Sequence, residues 1–204
     1  MADRIEVLKT YKIYINGKFP RTESGRYYVP LNPEGEKLGN ICWSSRKDVR
    51  NAVVSARKAQ EPWAGRSAYN NSQILYRIAE NLESRKTEFI ELVAKEESVA
   101  KDKAKKIVES SIDRFIYFAG WSDKFQQLFS SVNPVASSHF NFSMSEATGV
   151  VTAICGKGIN FKGLISAIAA TICGGNTIVI LSNENAPLSA ISFAEVLQHS
   201  DVPA

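Results

Sequence analysis

Two short polar stretches follow two apolar runs in the second half of this sequence. Gly156-Lys157-Gly158 comes after the run Val150 to Cys155, and Ser182-Asn183-Glu184 comes after the run Thr177 to Leu181. A glycine-lysine-glycine turn at the start of a helix can cradle a phosphate, and serine and asparagine side chains can hydrogen-bond a polar ligand. The turn matches neither the GxGxxG nor the Walker A pattern, so this signal for a nucleotide is weak by itself.

The elements that must position these stretches form one unit between Gly149 and Ser182. Both apolar runs are rich in β-branched residues, and the helical stretch Phe161 to Ile172 lies between them, ended by Gly174-Gly175-Asn176. Two continuous apolar runs around one helix predict a βαβ crossover whose parallel strands are buried on both faces. Ligands bind at the carboxyl ends of such strands, so both polar stretches belong to one candidate site.

Composition and charge exclude several classes of protein. The 204 residues are 44% hydrophobic and 23% charged, with a net charge of +4, as expected for a soluble globular protein. The lysines between Lys101 and Lys106 are interleaved with Asp102 and predict a solvated helix face, so no nucleic-acid partner is expected. No apolar run reaches the roughly 18 residues of a membrane span, and the N-terminus lacks a signal core; we therefore expect a cytoplasmic protein.

The cysteines predict neither a metal site nor a disulfide framework. Cys42, Cys155 and Cys173 are an odd, sparse set without a CxxC or Cys/His cluster. Cys155 lies at the end of an apolar run and Cys173 at a helix end, so both are expected in the core. A reactive thiol needs a cationic, partly exposed setting. Lys157 is the one cation close to Cys155 in the sequence, which is only a weak indication of reactivity.

The first 129 residues predict a hairpin followed by amphipathic helices. Asn16-Gly17, within the alternating stretch 11–20, is typical of a hairpin turn, and 37–43 is a candidate short strand. Apolar stripes at helical spacing predict helices that begin near Ser44 or Ser45 and near Ser67, with a break at 83–86 in the second. A further long helix is predicted over 101–129, and another over 187–200.

Residues 130–148 differ from the rest. This segment is polar, with apolar residues alternating at Phe140, Phe142 and Met144, which predicts a half-exposed strand. A strand with one apolar face needs a partner. It is either an internal edge strand or a subunit interface.

Several motifs, in order and over nearly the whole chain, resemble the aldehyde dehydrogenase superfamily. They are YINGKF, NPEGE, DVRNAVVSARKAQEPW, ILYRIAENLESRKTEF, IDRFIYFAGWSDKF, GVVTAI, GGNTIVI and NAPLSAISFAEVL. The resemblance implies a Rossmann-like fold, here the N-terminal part of the cofactor domain, built from 1–129 and 149–204. It implies that 130–148 is an oligomerisation hairpin and that the cofactor is NAD or NADP. The implied cofactor contacts are Cys155, Gly156, Lys157, Gly158, Leu181, Asn183 and Glu184.

This sequence departs from the family at two of those positions. An ungapped alignment places the asparagine that holds the family's oxyanion on Gly158, which has no side chain; Asn160 is two residues late. Losing one oxyanion donor costs about 3 kcal/mol. The family's ribose-binding lysine falls on Leu181, whereas Glu184 matches the family's acidic residue near the ribose. The nucleophilic cysteine and the base glutamate of the family lie further along than residue 204, and no residue here is assigned a catalytic role.

Three hypotheses follow. The chain is a truncated or degenerate member without catalysis of its own, a pseudoenzyme or half of a split enzyme that supports a homologous subunit. Alternatively it is the N-terminal fragment of an active NAD(P)-dependent enzyme that oxidises aldehydes to acids, or a small nucleotide-binding module. For the first hypothesis we expect weak or absent cofactor binding, and a homo-oligomer or a complex with a full-length aldehyde dehydrogenase homologue.

Overall fold

The computed structural model describes residues 7–203, which form seven helices and seven strands. The predicted absence of a signal core concerns mainly the first six residues, which lie outside the described part. The helices are α1 (Arg46–Ala64), α2 (Ala68–Ser84), α3 (Lys86–Glu97), α4 (Lys101–Ala119), α5 (Phe125–Phe129), α6 (Phe161–Cys173) and α7 (Leu188–Gln198). The strands are β1 (Thr10–Tyr11), β2 (Tyr27–Tyr28), β3 (Asn40–Cys42), β4 (Ser131–Asn133), β5 (Asn141–Ser143), β6 (Val150–Ile154) and β7 (Thr177–Leu181).

A small sheet precedes the helices. β3 lies in its centre, parallel to β1 and antiparallel to β2. The predicted turn at Asn16-Gly17 is present, since both residues have positive φ and Ile15 and Lys18 exchange backbone hydrogen bonds. That exchange is a single bridge, so the hairpin predicted over 11–20 is shorter than the alternation suggested.

The predicted starts of the first two helices are confirmed by their caps. The Ser45 hydroxyl accepts a hydrogen bond from the Asp48 N–H, and the Asp48 carboxylate accepts one from the Ser45 N–H. This reciprocal pair satisfies two backbone donors at the start of α1. At α2 the Ser67 hydroxyl accepts one hydrogen bond, from the Asn70 N–H, without the reciprocal bond.

The helix predicted over 101–129 is wrong in its second half. α4 ends at Ala119 with Gly120 as its cap, and the five-residue helix α5 follows after a turn. The turn lets Trp121 stack on Phe129 with ring centroids 6.4 Å apart. Ser122, which reads as a polar surface residue in the sequence, is buried against the Cys173 sulfur.

One core joins the helices to the βαβ unit. Besides Trp63 of α1, its fully buried side chains come from α2, α3, α4, α6 and α7 and include Leu75, Ile78, Phe89, Val108, Phe115, Ile165 and Phe193. The apolar stripes predicted for these helices are therefore core. The indole N–H of Trp63 donates to the Ile172 carbonyl at 3.1 Å and ties α1 to the end of α6.

The predicted βαβ crossover is present, with β6 and β7 parallel and in register from Val150 opposite Thr177 to Ile154 opposite Leu181. The prediction that both strands are buried on both faces is wrong. Only Val179 is buried in β7, and Ile154 is 74% exposed. Residues 7–203 contain no third strand beside this pair, so both of its edges lack a strand partner there.

The segment 130–148 contains an antiparallel hairpin of β4 and β5. The sequence predicted a half-exposed strand here, but all three residues of β5 are exposed. Phe140, Phe142 and Met144 are each more than half exposed, and the two phenylalanine rings lie 5.5 Å apart. The part of the chain that the structure describes has no element packed over them, and the oligomerisation role stays a prediction.

Within 7–203, no helix is both long and apolar enough to cross a membrane. The same residues contain no group of three or more histidine, cysteine or acidic side chains placed to hold a metal ion.

Candidate functional site

The two polar stretches singled out in the sequence meet at the carboxyl edge of the parallel pair. The Cys155 N–H donates to the Leu181 carbonyl at 2.9 Å, which extends the strand pairing by one residue and starts both loops at the same level. Cys155, Ser182 and Asn183 line one small crevice between the loops, together with Asn160. We refer to 156–160 as the first loop and to 182–187 as the second loop.

The first loop is open to solvent. Gly156, Lys157 and Gly158 are all exposed. Neither glycine has a positive φ, and an added Cβ at either position would meet no atom within 4 Å. Backbone strain and packing therefore do not require glycine here. Gly158 does leave a gap where a side chain would otherwise project from the loop.

The cysteine in this region is unsuited to nucleophilic attack. Cys155, predicted as the last residue of the first strand, follows Ile154 directly outside β6 and is buried. Burial raises the pKa of its thiol, so the neutral form persists at neutral pH. Cys173 is also buried, and burial raises the pKa of its thiol despite a hydrogen bond from Ser122. Both side chains belong to the core, as predicted.

The start of α6 is capped by two side chains. The Asn160 Oδ1 accepts from the Gly163 N–H at 3.0 Å, as expected for an asparagine N-cap. The Glu97 carboxylate of α3 accepts from the Phe161 N–H at 3.3 Å. Helix N-termini attract anions through these same free N–H groups. The positions that a phosphate would use at α6 are thus partly filled by the protein itself.

The start of α7 is held by a side chain from another element. Pro187, at the N-cap position, offers no side-chain acceptor. The Glu96 carboxylate instead accepts hydrogen bonds from the backbone N–H groups of Leu188 and Ser189, the second at 3.0 Å. Glu96 is only 2% exposed, and burial raises its pKa to about 7 although these hydrogen bonds lower it.

The second loop is fixed by its own residues and by β2. The Asn183 Oδ1 accepts from the Asn185 N–H at 3.0 Å, and the Tyr28 hydroxyl donates to the Glu184 carbonyl at 3.1 Å. The Glu184 side chain is exposed, as is Leu181 at the end of β7. The backbone that carries Glu184 is therefore ordered while its carboxylate remains free to meet a ligand.

Glu96, Glu97 and Tyr28 were missed by sequence reasoning. A signal for Glu96 did exist, because it continues the spacing of Phe89 and Val93 on the buried stripe of α3. A charge at a core position usually has a specific partner. Nothing in the local sequence pointed to Glu97 or Tyr28, whose partners lie 64 and 156 residues away.

A cleft of about 940 Å³ adjoins the second loop. Its lining includes every residue of β7 and none of β6, so it lies on the outer side of the strand pair. Apolar side chains of α1, α6 and α7 contribute to its walls, among them Ala56, Ala59, Leu164, Ile168 and Ile191.

A parallel βαβ unit with ligand-sized loops at its carboxyl edge defines the class of Rossmann-like nucleotide-binding proteins. The particular family follows from the sequence, because the profile of the aldehyde dehydrogenase family matches residues 21–204. This chain belongs to that family.

Individual relatives agree with this assignment. Human mitochondrial 10-formyltetrahydrofolate dehydrogenase is 30% identical over 207 residues, which cover 99% of this chain and 22% of that protein. The structure of an aldehyde dehydrogenase from Bacillus cereus in its NAD+ complex superposes with a TM-score of 0.90 at 25% identity, over 96% of this chain and 40% of that one. A salicylaldehyde dehydrogenase from Pseudomonas putida, 21% identical, shares the fold with a TM-score of 0.88 over 96% of this chain and 40% of its own.

The chain spans less than half the length of each of these relatives. The predicted fold, the N-terminal part of the family's Rossmann-like cofactor domain, is confirmed by this superposition.

Proposed function

We propose that this chain carries out no aldehyde oxidation by itself and acts as one part of an aldehyde dehydrogenase assembly. It is either a pseudoenzyme subunit that supports a complete homologue or one half of a split enzyme. The observation that carries the proposal is the outer edge of β7, which has no strand partner within 7–203 and borders the 940 Å³ cleft. Unpaired strand edges beside apolar surface are sites of association.

The residues at the loops support the absence of catalysis. Gly158 offers no side-chain amide to an oxyanion, and Asn160, which caps α6 through its Oδ1, lies two residues later. Cys155 is a buried neutral thiol rather than a thiolate. Losing one oxyanion donor alone costs about a hundredfold in rate.

NAD or NADP is the proposed cofactor class, because the chain belongs to this family and the Bacillus cereus relative holds NAD+. The loops fit such a cofactor in part. The exposed Glu184 carboxylate suits ribose hydroxyls, whereas Leu181 offers no donor and the first N–H of α6 is taken by Glu97. We therefore propose binding that is weak in this chain alone.

The test is an aldehyde oxidation assay of the purified chain with NAD and with NADP, over short and aromatic aldehydes. We expect no NAD(P)H formation above that of a preparation without the chain. Turnover that co-purifies with the chain through several columns would overturn the proposal.

A second candidate function is that of the leading segment of an active NAD(P)-dependent aldehyde dehydrogenase. The observation that favours it is coverage, because the relatives extend well beyond the matched region. Sequencing the transcript beyond the codon for Ala204 separates the two. A continuing frame with a cysteine and a glutamate in family context supports the active enzyme, and a stop codon supports the first proposal.

A small nucleotide-binding module around Gly156-Lys157-Gly158 is disfavoured. The Phe161 and Gly163 N–H groups at the start of α6 already donate to Glu97 and Asn160. A phosphate at this turn would have to displace a carboxylate.

For partners, we propose a homo-oligomer or a complex with a full-length aldehyde dehydrogenase homologue, formed through the exposed face of Phe140, Phe142 and Met144. Three large apolar side chains exposed side by side favour a protein interface.

A further inference from the structure

Two neighbouring carboxylates at the end of α3 reach two different helices. Glu96 accepts hydrogen bonds from the first turn of α7, and Glu97 accepts one from the first turn of α6. Consecutive residues on a helix point about 100° apart, so adjacent positions can serve two separate elements. Ser98 follows immediately in the left-handed conformation and ends α3, which leaves both side chains in its last turn.

The chemistry of these contacts is that of helix capping from outside. The first N–H groups of a helix have no partner within it, and the helix dipole favours negative charge at that end. α7 begins after Pro187, whose side chain has no hydrogen-bond acceptor. Glu96 therefore supplies the acceptor for the first N–H groups of α7. At α6 two side chains cap the helix. Asn160 accepts a hydrogen bond from the Gly163 N–H, and Glu97 accepts one from the Phe161 N–H.

The surroundings of the pair make these contacts specific. Glu96 is almost completely buried, and no cation within 7–203 forms a salt bridge with it. The titratable groups near it are the tyrosines Tyr11 and Tyr28 of the N-terminal sheet and the neighbouring Glu97. Glu97 is half-buried and faces Lys103 of α4. A buried carboxylate without a cation depends on its N–H donors, and those of Glu96 belong to α7.

The end of α3 is itself anchored. The Asn32 side-chain amide donates to the Lys95 carbonyl at 3.1 Å and also to Glu36. The segment before β3 therefore fixes the helix end from which Glu96 and Glu97 project.

We propose that Glu96 and Glu97 form a double staple that sets the position of the second loop relative to the first. α6 starts directly after 156–160, and α7 starts directly after 182–187, so holding both helix starts on one rigid helix end holds both loops. All contacts of the staple are made within this chain, and none of them involves a cofactor. That it positions a cofactor rests on the proposed function of the loops, and in that role the glutamates are positioning residues.

The test is amide hydrogen exchange, followed by mass spectrometry, on the whole chain and its variants. Glu96→Ala should speed exchange in 182–190 about five- to tenfold and leave 156–163 unchanged, because losing a helix cap has about that effect on local opening. Glu97→Ala should show the reverse pattern. Glu91→Ala is the matched control, since Glu91 is exposed on the same helix, and it should change neither segment.

Conservative variants separate positioning from general stability. Glu96→Gln keeps the volume and one acceptor oxygen, so it should lose part of the protection in 182–190 and no more. It also carries the test if Glu96→Ala does not fold. Glu97→Gln is the corresponding variant for 156–163. Equal acceleration in both segments, or none in either, for both glutamine variants would overturn the proposal.

A nucleotide titration distinguishes this proposal from the function of the loops. If NAD at millimolar concentration protects neither loop while the segment-specific pattern holds, the staple stands and the cofactor role of the loops fails. If NAD protects both loops in the wild-type chain but only the second in Glu97→Ala, both stand. Equal protection of both loops in wild type and in Glu97→Ala means that the staple does not position the cofactor site.

Discussion

The helical part and the strand part of this chain differ in how much of their apolar surface is covered. In the helices, Leu75, Phe89 and Phe115 are completely buried in a core shared with α6 and α7. In the strands, Ile154 is 74% exposed, and Phe140 on the hairpin is equally so. The buried stripes of these helices thus find their packing partners within 7–203, whereas the strands display apolar faces that another chain or segment can cover.

The largest effect on stability should come from a substitution in the buried core of the helices. Phe115→Ala removes a ring that is fully buried and stacked on Phe193 with centroids 5.7 Å apart. We expect the free energy of unfolding to fall by about 3–5 kcal/mol, as for other large-to-small core changes. Urea denaturation followed by circular dichroism measures it.

Phe142→Ala is the matched control, because it deletes the same ring from an exposed position. It should cost less than about 0.5 kcal/mol when the protein is dilute. Similar losses of unfolding free energy for Phe115→Ala and Phe142→Ala would contradict the view that the helices are packed and the hairpin is not.

The next effect concerns the carboxylate buried between α3 and α7. Burial raises the pKa of Glu96 from 4.5 to about 7, so the folded chain keeps a proton that the unfolded chain has already released. The contribution of Glu96 to stability is therefore largest below pH 4.5, falls as the pH rises to about 7, and is constant above that. The slope is at most about 1.4 kcal/mol per pH unit.

Glu96→Gln cannot titrate and isolates this contribution. The difference in unfolding free energy between wild type and Glu96→Gln should decrease between pH 5 and 7. Urea titrations at half-unit pH intervals measure it, with Glu91→Gln as the exposed control. A difference that is independent of pH would contradict the account of Glu96.

A smaller effect is expected at the open carboxyl edge of the sheet. Leu181 is 41% exposed at the end of β7, so Leu181→Lys should fold normally and place an ammonium group near the second loop. A charge-assisted hydrogen bond contributes about 1.5–3 kcal/mol, which corresponds to at least a tenfold gain in affinity for NAD or NADP. Calorimetric titration of both proteins measures the gain.

Thr152→Lys, at an exposed position on β6, controls for added charge and should leave nucleotide affinity unchanged. A low-micromolar dissociation constant for the wild-type chain would contradict the expectation of weak binding. Equal affinities for wild type and Leu181→Lys would place the cofactor elsewhere.

Much of the helical part could be predicted from sequence, because its signals are local. Ser45 and Ser67 lie next to the helices they cap, and the apolar stripes repeat at helical spacing. The bounds of α6 and β7 also followed from the glycines between them. The break after Ala119 was missed, since the apolar stripe continues past Gly120 to Trp121 and Phe125.

The candidate site was predicted in position and missed in detail. Both loops follow from the βαβ pattern, but the glutamates that hold them have partners 64 and 92 residues away. The exposure of Ile154 was missed for a related reason. Apolar strand composition indicates burial in a finished sheet, and β6 and β7 form only a pair within the described residues.

The most direct test of the central claim is light scattering of the chain coupled to size-exclusion chromatography at tens of micromolar. We expect a species larger than a monomer, and Phe140→Glu with Phe142→Glu should reduce it to a monomer with unchanged helical circular dichroism. Tyr69→Glu, an exposed aromatic on α2 far along the chain from the hairpin, should leave the assembly intact. A monodisperse wild-type monomer, unaffected by the hairpin substitutions, would contradict the claim that the strand part is covered by association.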